Sequence, residues 1–99
     1  MVQRIVLIKL QAPFDNEEGR REVAEISHNL LPQVPGVTSV EVGTPAEENC
    51  EESWDLVLKV SFANIDAVEP YRVHPVHLEY RDAIADKMEV LKAWNFQFD

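Results

Sequence analysis

Trp54-Asp55-Leu56-Val57-Leu58-Lys59-Val60-Ser61-Phe62 is the clearest strand in the chain. Trp54, Leu56, Leu58, Val60 and Phe62 alternate with Asp55, Val57, Lys59 and Ser61, a period of two that puts the large apolar side chains on one face of a sheet. Upstream, Thr44–Ser53 holds four glutamates, a proline and no aliphatic side chain larger than alanine, which predicts a solvated loop. Before it, Val37–Gly43 predicts a short strand with Val40 and Val42 on one face. Further back, Asp15 is a helix N-cap and Glu18 completes a capping box. Val23, Ile26 and Leu30 follow at helical spacing, with Ala24 and Leu31 beside them, and Pro32 and Pro35-Gly36 close the helix. The opening stretch, Val2 to Leu10, is apolar at the centre on both faces. Arg4, Val6, Ile8 and Leu10 share one side; Gln3, Ile5, Leu7 and Lys9 share the other. Such a strand is covered on both sides.

Downstream of Phe62, Asn64 or Asp66 caps a short helix running to about Val73. Pro75 suits the first position of the next helix, whose apolar stripe is Val76, Tyr80, Ala83, Ile84 and Met88. A last strand, about Glu89 to Phe98, puts Trp94, Phe96 and Phe98 on one side. The order is therefore β-α-β-β-α-β, with the second helical part broken at His74-Pro75. That order predicts an α+β, ferredoxin-like fold: a four-stranded antiparallel sheet with helices on one face, in a single domain spanning 1–99. The large side chains exceed what one helical layer covers. The free sheet face is therefore expected to meet a second copy, giving a homodimeric α+β barrel.

Composition narrows the partners. The 99 residues carry a net charge of −9, which argues against nucleic acid and against anionic membranes. The longest apolar run is the four residues Ile5–Ile8, far short of a bilayer span. The N-terminus lacks a signal peptide's pattern. Cys50 is the sole cysteine, so it has no partner for an internal disulfide, and the glutamates around it blunt its nucleophilicity. These features fit a reducing, cytoplasmic setting.

Groups able to move protons near neutral pH concentrate in Tyr71-Arg72-Val73-His74-Pro75-Val76-His77. His77 lies on the edge of the buried helical stripe, with Tyr80 and Ile84 following at i+3 and i+7. Desolvation there favours the neutral imidazole, a competent general base. If the chain bends at Pro75, the Tyr71 hydroxyl turns towards His77 and can donate to a developing oxyanion. The alternative is a core histidine tied to a backbone carbonyl, with Tyr71 a packed aromatic. His74 precedes a proline and is expected to be extended, shaping the helix start. His74 and His77 lack a third ligand at metal-binding spacing. The acidic loop lacks the glycine and spacing of a calcium loop. No phosphate-binding glycine loop or Ser/His/Asp arrangement is present.

On these residues the chain resembles the stress-responsive dimeric α/β-barrel domain family, almost end to end. The markers are Ile5-Val6-Leu7-Ile8-Lys9-Leu10, Pro35-Gly36-Val37-Thr38-Ser39-Val40-Glu41-Val42-Gly43, Trp54-Asp55-Leu56-Val57-Leu58, the Tyr71–His77 stretch, and the aromatic last strand. The resemblance implies a homodimer with a cavity in each subunit between sheet and helices. Most members have no assigned reaction. One plant branch shares the Tyr-x-x-His-Pro-x-His stretch and cyclises a linear polyketide by aldol chemistry without metal or cofactor. Its acid–base residues map onto Tyr71 and His77. That branch has a pocket histidine where this chain has Arg4, and here Pro70 directly precedes the tyrosine.

Two functional readings follow from the resemblance and the motif together. The first is a small-molecule-binding barrel with no assigned reaction. The second is a cofactor-independent lyase or cyclase, with His77 as base and Tyr71 as oxyanion donor. His74, Arg4 and Tyr80 are the accompanying ligand-binding candidates; neither cofactor nor metal is expected. A third reading makes the barrel a purely structural oligomer.

Overall fold

The computed structural model describes residues 1–99. In chain order the elements are β1 (Val2–Leu10), α1 (Glu17–Leu30), β2 (Val37–Gly43), α2 (Glu48–Ser53), β3 (Leu56–Phe62), α3 (Val68–Val73), α4 (Pro75–Ile84) and β4 (Met88–Gln97). The strands form one antiparallel sheet in the order β2-β3-β1-β4, the split βαβ plan of a ferredoxin-like fold. No helix is long and apolar enough to cross a membrane.

Registry decides which side chains share a face. Val6 pairs with Leu58 and Ala93, Ile8 with Leu56 and Leu91, and Arg4 with Val60 and Asn95. These even-numbered β1 residues face the helices, and Val2, Val6, Ile8 and Leu10 are buried there with Leu56, Leu58, Val60 and Phe62. The opposite face carries Ile5 opposite Trp94 and Gln3 opposite Phe96. It lacks a cover within the chain, so Trp94 and Phe96 are each 50% exposed.

Helix α1 starts one residue later than the capping-box pattern predicts. Asn16, not Asp15, is the N-cap: its side chain accepts from Gly19 N at 2.8 Å and donates to Pro13 O at 2.8 Å. A Cβ on Gly19 would overlap the Phe14 carbonyl, so the loop closes against the helix only because that residue is glycine. The buried stripe of α1 is Gly19, Val23 and Ser27, with Ile26 and Leu30 half-buried at its flank. The acidic loop is not irregular throughout; it ends in α2, a short exposed helix. Glu48 and Glu51 lie in its first turn, where carboxylates suit the exposed amide dipoles, and Glu51 also reaches Arg20 at 3.5 Å. Met88 belongs to β4 rather than to the preceding helix.

Asp55 lies just outside β3 and is 1% exposed. The period-two pattern assigns it to the polar face, yet it turns inward. Its Oδ2 accepts from Leu10 N at 2.7 Å, and its Oδ1 accepts from Arg20 Nε at 3.0 Å and lies 2.9 Å from Nη2. The carboxylate thus ties α1 to β1 and β3 with its charge fully partnered. Removing one side of a buried pair strands the other. Asp55→Ala is expected to cost roughly 3–5 kcal/mol of stability, read as a lowered urea midpoint with unchanged slope.

Candidate functional site

The site is built around a break in the helical layer. In a continuous helix Val76 N–H would donate to the Arg72 carbonyl. Pro75 prevents this: His74 is extended, at φ −65° and ψ 139°, and the two groups part. Each is then satisfied by an imidazole. His74 Nδ1 accepts from Val76 N at 3.1 Å, as the N-cap of α4. His77 Nδ1 lies 2.9 Å from the Arg72 carbonyl oxygen. A carbonyl only accepts, so Nδ1 carries the proton and Nε2 is the basic nitrogen of the neutral ring.

His77 stands beside a cavity of about 230 Å³ between the sheet and the α3–α4 pair. Its floor is apolar, formed by buried Val6, Leu58 and Ile84. Arg72, Arg81 and Leu91 are exposed and mark its open side. Tyr71 and Tyr80 line it as well. The Tyr71 ring lies against His77, with centroids 4.4 Å apart, and edge-on to Phe62 at 5.1 Å. Pro70 occupies the third position of α3, a first-turn site where a missing N–H is tolerated.

Tyr71 is 2% exposed, yet its hydroxyl makes no hydrogen bond within the protein. No fully buried polar side-chain atom lacks a partner, so this oxygen is open to the cavity. Tyr80 differs. Ser27 Oγ donates to Val23 O at 2.7 Å and therefore accepts from Tyr80 Oη at 2.8 Å. The Tyr80 ring borders the cavity, but its hydroxyl proton is committed to Ser27.

Burial governs the titration of this cluster. It pushes Tyr71 well above the ordinary phenol value, with Tyr80 adding to the shift and Arg4 opposing it. It raises Tyr80 to about 12, against the pull of the Ser27 hydrogen bond. Burial lowers His77; the Arg72 carbonyl opposes this, and Arg4, Arg81 and Arg72 lower it further. At neutral pH the site therefore holds a neutral imidazole and a protonated phenol.

Among the residues singled out from the sequence, Tyr71, His77, Tyr80 and Arg4 meet at this cavity, whereas His74 lies at the helix start and is not part of the lining. Arg4 is half-buried and donates from Nη1 to Asn95 Oδ1 at 3.0 Å. Sequence reasoning missed Arg81, Leu91 and Asn95. Arg81 had a usable signal, since it follows His77 at i+4 on the same helix face. Leu91 and Asn95 had none, because registry against β1 brings Leu91 to the cavity and Asn95 to Arg4 in the recess beside it. No group of three or more His, Cys, Asp or Glu side chains is placed to hold a metal ion.

Comparison with known proteins agrees with this architecture. Olivetolic acid cyclase from Cannabis sativa is 22% identical over 96 residues, covering 96% of this chain and 94% of its own length. A dimeric protein of ferredoxin-like fold from Bacteroides fragilis superposes with a TM-score of 0.77 at 26% identity, covering 98% of this chain and 95% of that one. Hydroxynitrile lyase from Passiflora edulis superposes with a TM-score of 0.81 at 15% identity, covering 99% and 93%, a likeness of fold. The sequence pattern of the stress responsive A/B barrel domain matches residues 2–97. The chain belongs to that family.

Proposed function

We propose that the cavity binds a small organic carbonyl compound and that His77 and Tyr71 act on it as a metal-free acid–base pair of the lyase or cyclase type. The observation that carries this reading is the pairing of a fixed tautomer with an unpartnered phenol at one cavity. His77 offers Nε2 as base while Nδ1 is held by Arg72 O, and Tyr71 presents a free donor. Nε2 removes a proton next to the carbonyl, and the Tyr71 hydroxyl donates to the oxygen as negative charge develops there. Two relatives named above, a cyclase and a lyase, are in keeping with this chemistry. A second reading, ligand binding without turnover, draws on the same His77–Arg72 bond, which also satisfies a helix end.

Exchange of α-deuterons from a panel of deuterated methyl ketones and β-dicarbonyls, followed by NMR, separates the two readings. We expect exchange above buffer in the native protein. His77→Asn, which keeps a donor near the Nδ1 position, should reduce it roughly 10²- to 10⁴-fold. Tyr71→Phe should reduce it about 10²- to 10³-fold. Binding with no exchange would leave only the ligand-binding reading; exchange unchanged in His77→Asn would sink the acid–base pair.

The rate should hold as pH is brought down to 6.5, the ordinary histidine value, and fall only at lower pH, through the lowered value of the folded His77, because protonation removes the base. The sign for stability is the same. The unfolded chain takes up the proton first, so the His77 contribution is fully present above 6.5 and is lost progressively as pH falls from there through the lowered value of the folded state. Thermal melts of native protein and His77→Asn across this range should converge at the acid end; parallel curves would contradict it.

We further propose that the outer sheet face pairs with a second copy, in a reducing, cytoplasmic setting consistent with the single cysteine. Support comes from Trp94 and Phe96, each 50% exposed, and Phe98, 44% exposed, and from the dimeric Bacteroides neighbour. Sedimentation should give a dimer at micromolar concentration and a monomer for Trp94→Glu. A native monomer would reject this.

A further inference from the structure

The cavity has an unusual charge balance for this chain. There are 18 acidic residues and 9 lysines and arginines in the whole sequence, yet three arginines and no carboxylate line the cavity. They come from three elements: Arg4 from β1, Arg72 from α3 and Arg81 from α4. Arg72 is paired with Glu69 at 2.9 Å. Arg4 and Arg81 take part in no ion pair.

Arg4 is the informative one. It is half-buried, and its only hydrogen bond goes to the neutral Asn95 amide oxygen. A guanidinium has five N–H donors, and taking it out of water without an anion is unfavourable. The other inward arginine, Arg20, is treated differently, with Asp55 at 2.9 Å and Glu51 at 3.5 Å. Arg4 also borders the adjoining recess formed by Ile65, Val68, Glu69, Arg72 and Asn95. It therefore stands where the apolar chamber meets the polar mouth. Glu69, the one acid in that recess, is already engaged by Arg72.

We propose that the ligand is an organic carboxylate, its charged end held by Arg4 with Arg81 at the mouth and its apolar body against Val6, Leu58, Ile84 and Leu91. This rests on the cavity-binding reading above and specifies the class of compound: a carbonyl substrate that also carries a carboxylate. An anion bound there also offsets the guanidinium charges around the base. The groups facing His77 are Arg72 and Tyr71 from α3, Tyr80 and Arg81 from α4 and Arg4 from β1; β3 and β4 offer only apolar side chains to the cavity. Ligand entry therefore raises the proton affinity of the imidazole, a coupling of binding to base strength.

Hexanoate and its neutral match 2-heptanone are suitable probes, titrated into the whole protein and followed by NMR. We expect hexanoate to bind more tightly, and only its binding to weaken with added salt. Arg4→Gln should weaken hexanoate roughly 10- to 100-fold and weaken 2-heptanone by a much smaller factor. Asn95→Ala, at an exposed position that leaves the core intact, should weaken hexanoate by a smaller factor. The His77 ring should titrate at higher pH with hexanoate bound than without it. Hexanoate binding no more tightly than the ketone, or an equal loss of both in Arg4→Gln, would overturn the proposal. If 2-heptanone binds and His77-dependent exchange persists, only the anion assignment falls. If neither probe binds, the cavity reading falls with it.

Discussion

One interrupted helical hydrogen bond organises the site. Pro75 separates the Val76 amide, which is partly buried, from the Arg72 carbonyl, which is exposed, and leaves both without a helical partner. The two histidines flanking the break supply those partners from opposite sides. His74 accepts the amide proton, and His77 donates to the carbonyl. The second bond also selects the tautomer of His77, so that one contact satisfies the backbone and leaves Nε2 as the unprotonated ring nitrogen. The break has a further effect on Tyr71. It ends α3 beneath the cavity, so the phenol packs edge-on to Phe62 while its hydroxyl stays open.

The sheet sets the rest of the geometry. Antiparallel registry places Arg4, Val6, Leu58, Leu91 and Ala93 on one face, opposite α3 and α4. The central strand β1 is thereby both core and site. Its inward residues are buried from Val6 to Leu10, whereas Arg4 lies half-buried near the end, where the chamber opens. The inward charge at the other end of β1, Arg20, is met by a carboxylate of the fold itself, Asp55. Arg4 receives only an amide. That difference between two arginines in the same small molecule carries the anion proposal.

Burial sets the protonation state of both the base and the donor; the Arg4 charge adds to its effect at His77 and opposes it at Tyr71. An apolar chamber disfavours charge on either group, keeping the imidazole neutral and the phenol protonated. The arginines reinforce this at His77 and leave the site cationic overall, within a chain whose surface is acidic. The chamber thus presents a neutral imidazole, an open phenol hydroxyl and positive charge at the mouth, none of them held in a buried ion pair.

Much of this was legible in the sequence. The period-two run to Phe62, the proline-marked turns and the order of elements determined the ferredoxin-like plan, because strand and helix periodicities are local properties of the chain. The Tyr71–His77 stretch likewise marked the break and the two titratable groups, since a proline's effect on its neighbours is local. Local pattern was a poorer guide to the ends of elements. Asn16 rather than Asp15 caps α1 because Gly19 lets the chain approach Phe14, and α2 forms within a stretch that reads as loop. Only the tertiary structure decided that Asp55 turns inward, that the Tyr80 hydroxyl is committed to Ser27, that Arg4, Arg81 and Leu91 gather at one cavity, and that Asn95 meets Arg4 in the recess beside it. Those facts depend on strand registry and helix placement, which join residues up to 91 positions apart in sequence, as Arg4 and Asn95 are. No local spacing encodes such a meeting; it exists only once the sheet has closed and the helices have settled on it.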